Sequence, residues 1–215
     1  MITISSLPES VKSAERCIKS AKDKSGIDVE MFDAITPKHN PWELAEKLNI
    51  KTDLFANDIG SRPDNVLSAF LSHYRLWSLC ANSKEEYTIF EHDAVVLAEI
   101  PKYMSYQGCV SLGTPSYGKF QQPFQMGVIP LTSKAYFPGA HAYRMRPSGA
   151  KTIVEMAQHS AQATDVFLNR ANFPWLEELY PWPVIAKDSF TTIQNQTGCL
   201  AKHNYNAHYE ILPCR

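Results

Sequence analysis

Residues Tyr87–Val96 read Tyr-Thr-Ile-Phe-Glu-His-Asp-Ala-Val-Val, and no other stretch constrains the chain as strongly. A short β-branched and aromatic run ends abruptly in two acids around a histidine. That is the pattern of a buried strand that delivers carboxylates to its C-terminal end. In open α/β sheets, ligands bind outside that end. On an extended chain, side chains two positions apart lie on one side, so Glu91 and Asp93 are expected to face together. Two carboxylates so placed can hold one divalent cation and, through it, a diphosphate. Taken alone, a strand that simply ends in solvated acids has the same sequence.

The residues before this stretch alternate between strand and helix character. Ile2–Ile4 reads as a first strand. Pro8 opens a helix with Val11, Ala14, Cys17, Ile18 and Ala21 at helical spacing, and Gly26 closes it. Val29–Ile35 reads as a second strand ending near Asp33, which completes a β-α-β opening of the α/β kind. A short helix is expected over Pro41–Leu48. The best helix of the chain follows over about 65–82, capped by Asp64, with Val66, Ala69, Phe70, His73, Leu76, Trp77 and Cys80 as its apolar stripe. His73 on that stripe fits a satisfied core position and, beside Ser72, equally fits a site.

After the acidic stretch, Cys109–Gly113 is a further strand. Residues 114–138 are rich in Gly, Pro, Gln, Phe and Tyr and show no helical period. A segment of that length suits a lid or binding loop, with Gln125–Leu131 as a strand inside it. Gly139–Met145 is a strand entered through a glycine, where His141 fits either a close approach of backbone to a ligand or a hydrogen bond to a neighbouring loop; Tyr143 and Met145 read as core. Pro147 opens another helix, and Thr164–Leu168 starts one more. There Asp165 fits either a helix N-cap or a base that accepts a hydroxyl proton. Trp182–Ala186 is a last strand. The expected fold is a single α/β domain over 1–195, with a mostly parallel sheet flanked by helices. A polar tail over 196–215, holding His203 and His208, is expected to pack on or near the site.

Composition removes several functions. With 21 basic and 22 acidic residues the net charge is -1 and no basic run stands out, so nothing favours nucleic acid as a partner. No run of about 18 apolar residues exists to cross a membrane. Five cysteines, odd in number and without a CxxC pair, point to reduced thiols rather than a disulfide frame or a zinc site. No basic-then-apolar leader precedes Ile2-Thr3-Ile4. A cytoplasmic setting follows, with peripheral contact at the inner face of a membrane left open.

Four segments in fixed order carry a resemblance. Ser68–Trp77 resembles the serine-histidine helix of glycosyltransferase family 25, which includes lipopolysaccharide and lipooligosaccharide β-galactosyltransferases and collagen galactosyltransferases. Phe90–Val95 looks like its Glu-Asp-Asp-Ala box, with His92 in place of the middle acid. Gly139–Tyr143, followed by Pro147–Lys151, is similar to its Gly-Thr-His-Ala-Tyr segment and the Pro-x-Gly-Ala-Lys turn after it. Thr164–Leu168 resembles its downstream Asp-x-x-Leu element. Ser5-Ser6-Leu7-Pro8 departs from the family's opening Asn-Leu-Asp-Arg.

The resemblance implies a GT-A-like nucleotide-sugar domain, a UDP-sugar donor and a divalent metal, Mn²⁺ or Mg²⁺. The implied reaction is inverting transfer of a hexose, galactose first, to a glycan hydroxyl, lipooligosaccharide-like or other. Glu91 and Asp93 would hold the metal and Asp165 would be the base. Asp33, Ser72, His73, Glu91, His92, Gly139 and His141 would line the donor. Either His203 or His208 could complete the metal shell, as C-terminal histidines do in several GT-A enzymes. The rival readings are a catalytically weak glycan- or nucleotide-binding relative and a nucleotide-sugar hydrolase.

Overall fold

The structure is a computed structural model that describes residues 1–55, 61–187 and 192–193. The opening forms as its pattern requires. Strand β1 (Ile2–Thr3) leads to helix α1 (Pro8–Ser25) and back to β2 (Phe32–Asp33). β1 and β2 pair in parallel, with Ile2 opposite Phe32 and Thr3 opposite Asp33. Pro8 costs α1 nothing, because the first N–H of a helix has no partner inside it. Helix α2 (Pro41–Lys47) and the long α3 (Pro63–Ala81) follow. The residue that precedes α3 is Arg62, not the expected cap Asp64. Asp64 lies in the first turn, where its Oδ1 accepts the Trp42 Nε1–H at 2.7 Å.

The central sheet holds β3 (Tyr87–Phe90), β7 (Ala142–Met145), β5 (Cys109–Ser111), β8 (Glu177–Tyr180) and β6 (Gly127–Pro130), in that spatial order. A parallel bridge between Ile2 and Glu91 sets β1 beside the end of β3. β5 and β8 are parallel, but β7 is antiparallel to both β3 and β5, and β6 is antiparallel to β8. The sheet is therefore mixed, and the expected mostly parallel sheet is corrected. Parallel neighbours need a crossover, usually a helix. The segment between β5 and β7 contains no helix, so β7 returns beside β5 in the opposite direction. A separate ribbon pairs β4 (Ala94–Val96) with β9 (Val184–Ala186), also antiparallel.

Alternation along the strands builds two cores. Ile89 and Cys109 face α3 and helix α4 (Pro147–Ser160), together with Phe70, Trp77, Tyr143 and Ile153. Their neighbours Phe90 and Val110 face the other way, toward α1 and the β4–β9 ribbon, with Cys17, Ala21 and Val96. Period-two strands between two apolar layers leave one open place for function, the rim where the strands end. Among the described residues no helix is long and apolar enough to cross a membrane.

Candidate active site at the strand ends

β2, β1 and β3 run in one direction and end on one rim. Asp33 closes β2, Ser5 lies just beyond β1, and Glu91 ends β3. The Asp33 carboxylate accepts the Ser5 backbone N–H at 3.2 Å. Hydrogen bonding from Ser5 holds its carboxyl below the usual carboxylate range, and the charges of His39 and Arg75 act in the same direction.

The acidic motif is a turn rather than an extension of β3. Glu91 N–H donates to the His141 carbonyl at 2.9 Å, and Ala94 N–H donates back to the Glu91 carbonyl at 3.1 Å. His92 and Asp93 occupy the turn so closed, so Glu91 and Asp93 do not stand two apart on one extended face. Two donors hold the turn from below through the Asp93 carbonyl, which accepts Lys187 N–H at 2.8 Å and Arg16 Nη2 at 3.3 Å. Arg16 Nη2 also donates to the Lys187 carbonyl at 2.7 Å. Arg16 projects from α1 and is buried. Nothing in the helical pattern of α1 marks it as a site residue.

Behind the turn lies a buried hydrogen-bonded series. Trp77 Nε1 and His73 Nδ1 each lie 2.7 Å from the Tyr143 hydroxyl oxygen. His73 Nε2 lies 2.9 Å from Glu91 Oε1. Trp77 and His73 are one turn apart on α3, and Tyr143 is opposite them on β7. Burial pushes the His73 pKa down to about 3, against the opposing pull of the Asp165 charge. The histidine is therefore neutral at physiological pH. Tyr143, read from the sequence as core, is buried and is also a polar partner here.

Asp165 lies in the short helix α5 (Thr164–Phe167), near enough for His73 to feel its charge. The N-cap position of α5 belongs to Ala163, so Asp165 is not the cap. Its Oδ1 accepts the N–H of Val166 at 2.9 Å, the Gly139 N–H also bonds the carboxylate, and the Tyr117 hydroxyl donates to Oδ2. Burial raises its pKa above the ordinary value, while Tyr117 and the backbone donors pull it down. Tyr117 packs against Lys134, whose Nζ lies 4.6 Å from its ring centre and 4.9 Å from that of Tyr136. Lys134 also donates to the Tyr117 carbonyl at 2.7 Å.

Glycines make room for His141. A Cβ on Gly113 would overlap the His141 ring, and one on Gly139 would overlap Ser116 Oγ and stand 2.9 Å from His141 Nδ1. Gly139 also has φ +106°, a conformation that other residues rarely adopt. Gly139 and His141 thus sit between the acidic turn and Asp165. Ser72 is placed differently. It is buried, accepts Ile35 N–H at 2.9 Å and donates to the Ser68 carbonyl at 2.8 Å, fastening the end of β2 to α3.

The structure thus gathers His73, Glu91, Gly139, His141 and Asp165, with Asp33 farther along the same rim. Trp77, Tyr117, Tyr143 and Arg16 join them without a local sequence signal, because each acts across a long separation in the chain. Glu91 and Asp93 supply the hard oxygen donors that Mn²⁺ and Mg²⁺ take. Among the described residues no group of three acid, histidine or cysteine side chains is placed to hold a metal. A cation at Glu91 and Asp93 would therefore draw other oxygens from its substrate. His203, His208 and the tail over 196–215 lie outside the described residues.

No curated protein matches the chain. Residues 3–108, close to half of it, match the family model described as glycosyltransferase family 25 (LPS biosynthesis protein). The match takes in α3 with His73 and the Glu91–Asp93 turn, while His141 and Asp165 lie beyond it. Over residues 3–108 the chain is thus similar to glycosyltransferase family 25, whose model is described as an LPS biosynthesis protein.

Proposed function

We propose that the protein transfers a hexose, galactose first, from a UDP-sugar to a glycan hydroxyl, with inversion at the sugar carbon. The observation that carries the reading is the convergence of two carboxylates on one buried histidine. Glu91 reaches His73 by a hydrogen bond of 2.9 Å, and Asp165 reaches it through its charge. One acid at the end of β3 and one in α5 suit two separate tasks. Glu91 and Asp93 face the departing diphosphate, and Asp165 faces the incoming hydroxyl.

Asp165 would take the proton of the acceptor hydroxyl as that oxygen bonds to the sugar carbon and the bond from carbon to diphosphate breaks. A carboxyl with a raised pKa is the better base, because its strength moves toward working pH. Its oxygens have capacity for a further donor beyond Tyr117 and the backbone N–H groups. Glu91 and Asp93 would hold Mn²⁺ or Mg²⁺, whose chemistry when bound is to neutralise the leaving diphosphate. Asp33, at the end of β2, would orient the nucleoside. The parallel β2, β1 and β3 ending on one rim support a GT-A-like site. Reduced, buried Cys17, Cys80 and Cys109 suit a cytoplasmic setting.

The test is UDP release from a panel of UDP-sugars with Mn²⁺, with and without glycan acceptors. Release that needs both one UDP-hexose and an acceptor supports transfer. Free sugar without acceptor makes the protein a hydrolase, and UDP binding without release makes it a binding relative.

A further inference from the structure

We propose that Trp77 and Tyr143 are positioning residues that hold Glu91 in place by fixing which nitrogen of His73 carries the proton. The inference rests on Glu91 serving the donor, as in the function proposed above.

The argument is one of donors and acceptors. The Trp77 indole has a proton to give and no lone pair to offer. At 2.7 Å it must donate to the Tyr143 oxygen. The hydroxyl of Tyr143 has two partners among the described residues, Trp77 and His73. Its own proton therefore goes to His73 Nδ1, at 2.7 Å. A ring nitrogen that accepts carries no proton, so in the neutral imidazole the proton is on Nε2. From Nε2 it points at Glu91 Oε1, 2.9 Å away. Donation runs one way, from Trp77 through Tyr143 and His73 to the carboxylate.

Burial gives the series its force. Trp77 and Tyr143 are 0% exposed and His73 is 1% exposed, so water does not replace a missing partner. The Glu91 side chain is 26% exposed and faces the rim. Without the Tyr143 hydroxyl, the proton is free to move to Nδ1. Nε2 would then present a lone pair to the Glu91 carboxylate, and the contact would change from attraction to repulsion. A group held by a partner that is itself held is a common way to orient a ligand-binding carboxylate. Phe in place of Tyr143, or in place of Trp77, would keep an aromatic ring in the core and lose the polar link.

The experiment uses the full chain labelled with ¹⁵N at histidine. Long-range ¹H–¹⁵N spectra read the His73 tautomer, and calorimetry reads UDP affinity in the presence of Mn²⁺, for the parent, Tyr143→Phe, Trp77→Phe and Glu91→Gln. The expected result is Nε2–H in the parent. In Tyr143→Phe, Nδ1–H should appear and UDP affinity should fall by about tenfold or more. Nδ1–H in the parent overturns the inference, and this holds even if Tyr143→Phe fails to fold. A Tyr143→Phe protein that loses melting temperature but keeps the parent tautomer and affinity also overturns it, since that is what a purely packing role predicts. Glu91→Gln separates the two claims. Unchanged affinity in that variant removes Glu91 from the donor site, whereas loss there with none in Tyr143→Phe or Trp77→Phe removes only the positioning.

Discussion

The Tyr117 hydroxyl donates to Asp165 Oδ2, which ties the segment between β5 and β7 directly to the candidate base. That bond pulls the Asp165 pKa down while burial pulls it up. Tyr117→Phe removes the downward pull and lets the pKa rise. The acid limb of the pH–rate profile should then move to higher pH, with turnover lost first at the acid end. Transfer rates from pH 5 to pH 9 for parent and variant check this. A limb that stays in place separates Tyr117 from the base.

Arg16 is a buried cation beneath the acidic turn, and it serves two carbonyls, those of Asp93 and Lys187. Arg16→Leu leaves both without that donor. The expected cost is about 1–3 kcal/mol of stability, since buried acceptors lose a charged partner. Metal-dependent UDP affinity should fall as well, because the turn that carries Asp93 loses its tether. Denaturant melts and calorimetry on the same preparation read both effects. A variant that loses stability yet binds UDP as the parent does confines Arg16 to the fold.

His73 makes stability depend on pH with a definite sign. Its pKa is about 3 in the fold, against 6.5 for the free side chain. Between those values the unfolded chain binds a proton that the fold does not, so stability rises with pH through that window. The contribution is complete above 6.5 and is lost as pH falls toward 3. The difference in stability between parent and His73→Gln should therefore grow with pH, by at most about 1.4 kcal/mol per unit. A difference that is flat from pH 4 to pH 6.5 contradicts a buried neutral histidine.

The segment expected from the sequence to suit a lid or binding loop, residues 114–138, is fastened along part of its length. β6 pairs with β8, and buried Glu178 Oε1 accepts the N–H groups of Thr132 and Ser133 at 2.7 and 2.8 Å. What projects is the tip over 124–126, where Phe124 is fully exposed and Met126 is 77% exposed, whereas Gln121 N–H just before it is tied to the Ser133 carbonyl at 3.0 Å. Hydrogen exchange should be fast over 124–126 and slow over 127–133. UDP with Mn²⁺ should slow the tip alone. Protection at the tip that is already high without ligand counts against a closing element.

Local patterns carried much of this organisation. The stripe from Val66 to Cys80 is α3, and the run from Tyr87 to Phe90 is a strand that ends at acids. Glu91 and His73 were both legible as site candidates, but the hydrogen bond between them was not. Pairing across the sheet was the harder part. β7 reads as a strand in sequence, yet its direction depends on the missing crossover helix before it. β8 was not legible, because Glu177 and Glu178 break the apolar pattern that marks a strand. Glu178 is buried only because the loop N–H groups and Trp182 Nε1 satisfy its charge. Arg16, Trp77 and Tyr117 reach the site through hydrogen-bond partners 77, 66 and 48 positions away, where spacing carries no signal.

The account turns on Asp165 as the group that receives the acceptor proton. Asp165→Asn keeps the shape of the side chain and removes its basicity. General-base contributions are about 10²–10⁴-fold, and a role confined to the transition state leaves donor binding intact. The decisive measurement is kcat for sugar transfer beside UDP-sugar affinity in parent and Asp165→Asn. The account predicts a fall in kcat of about a hundredfold or more, unchanged affinity, and a melting temperature equal to or above the parent's, since a charge disfavoured by burial is gone. An Asp165→Asn protein that turns over at the parent rate contradicts it.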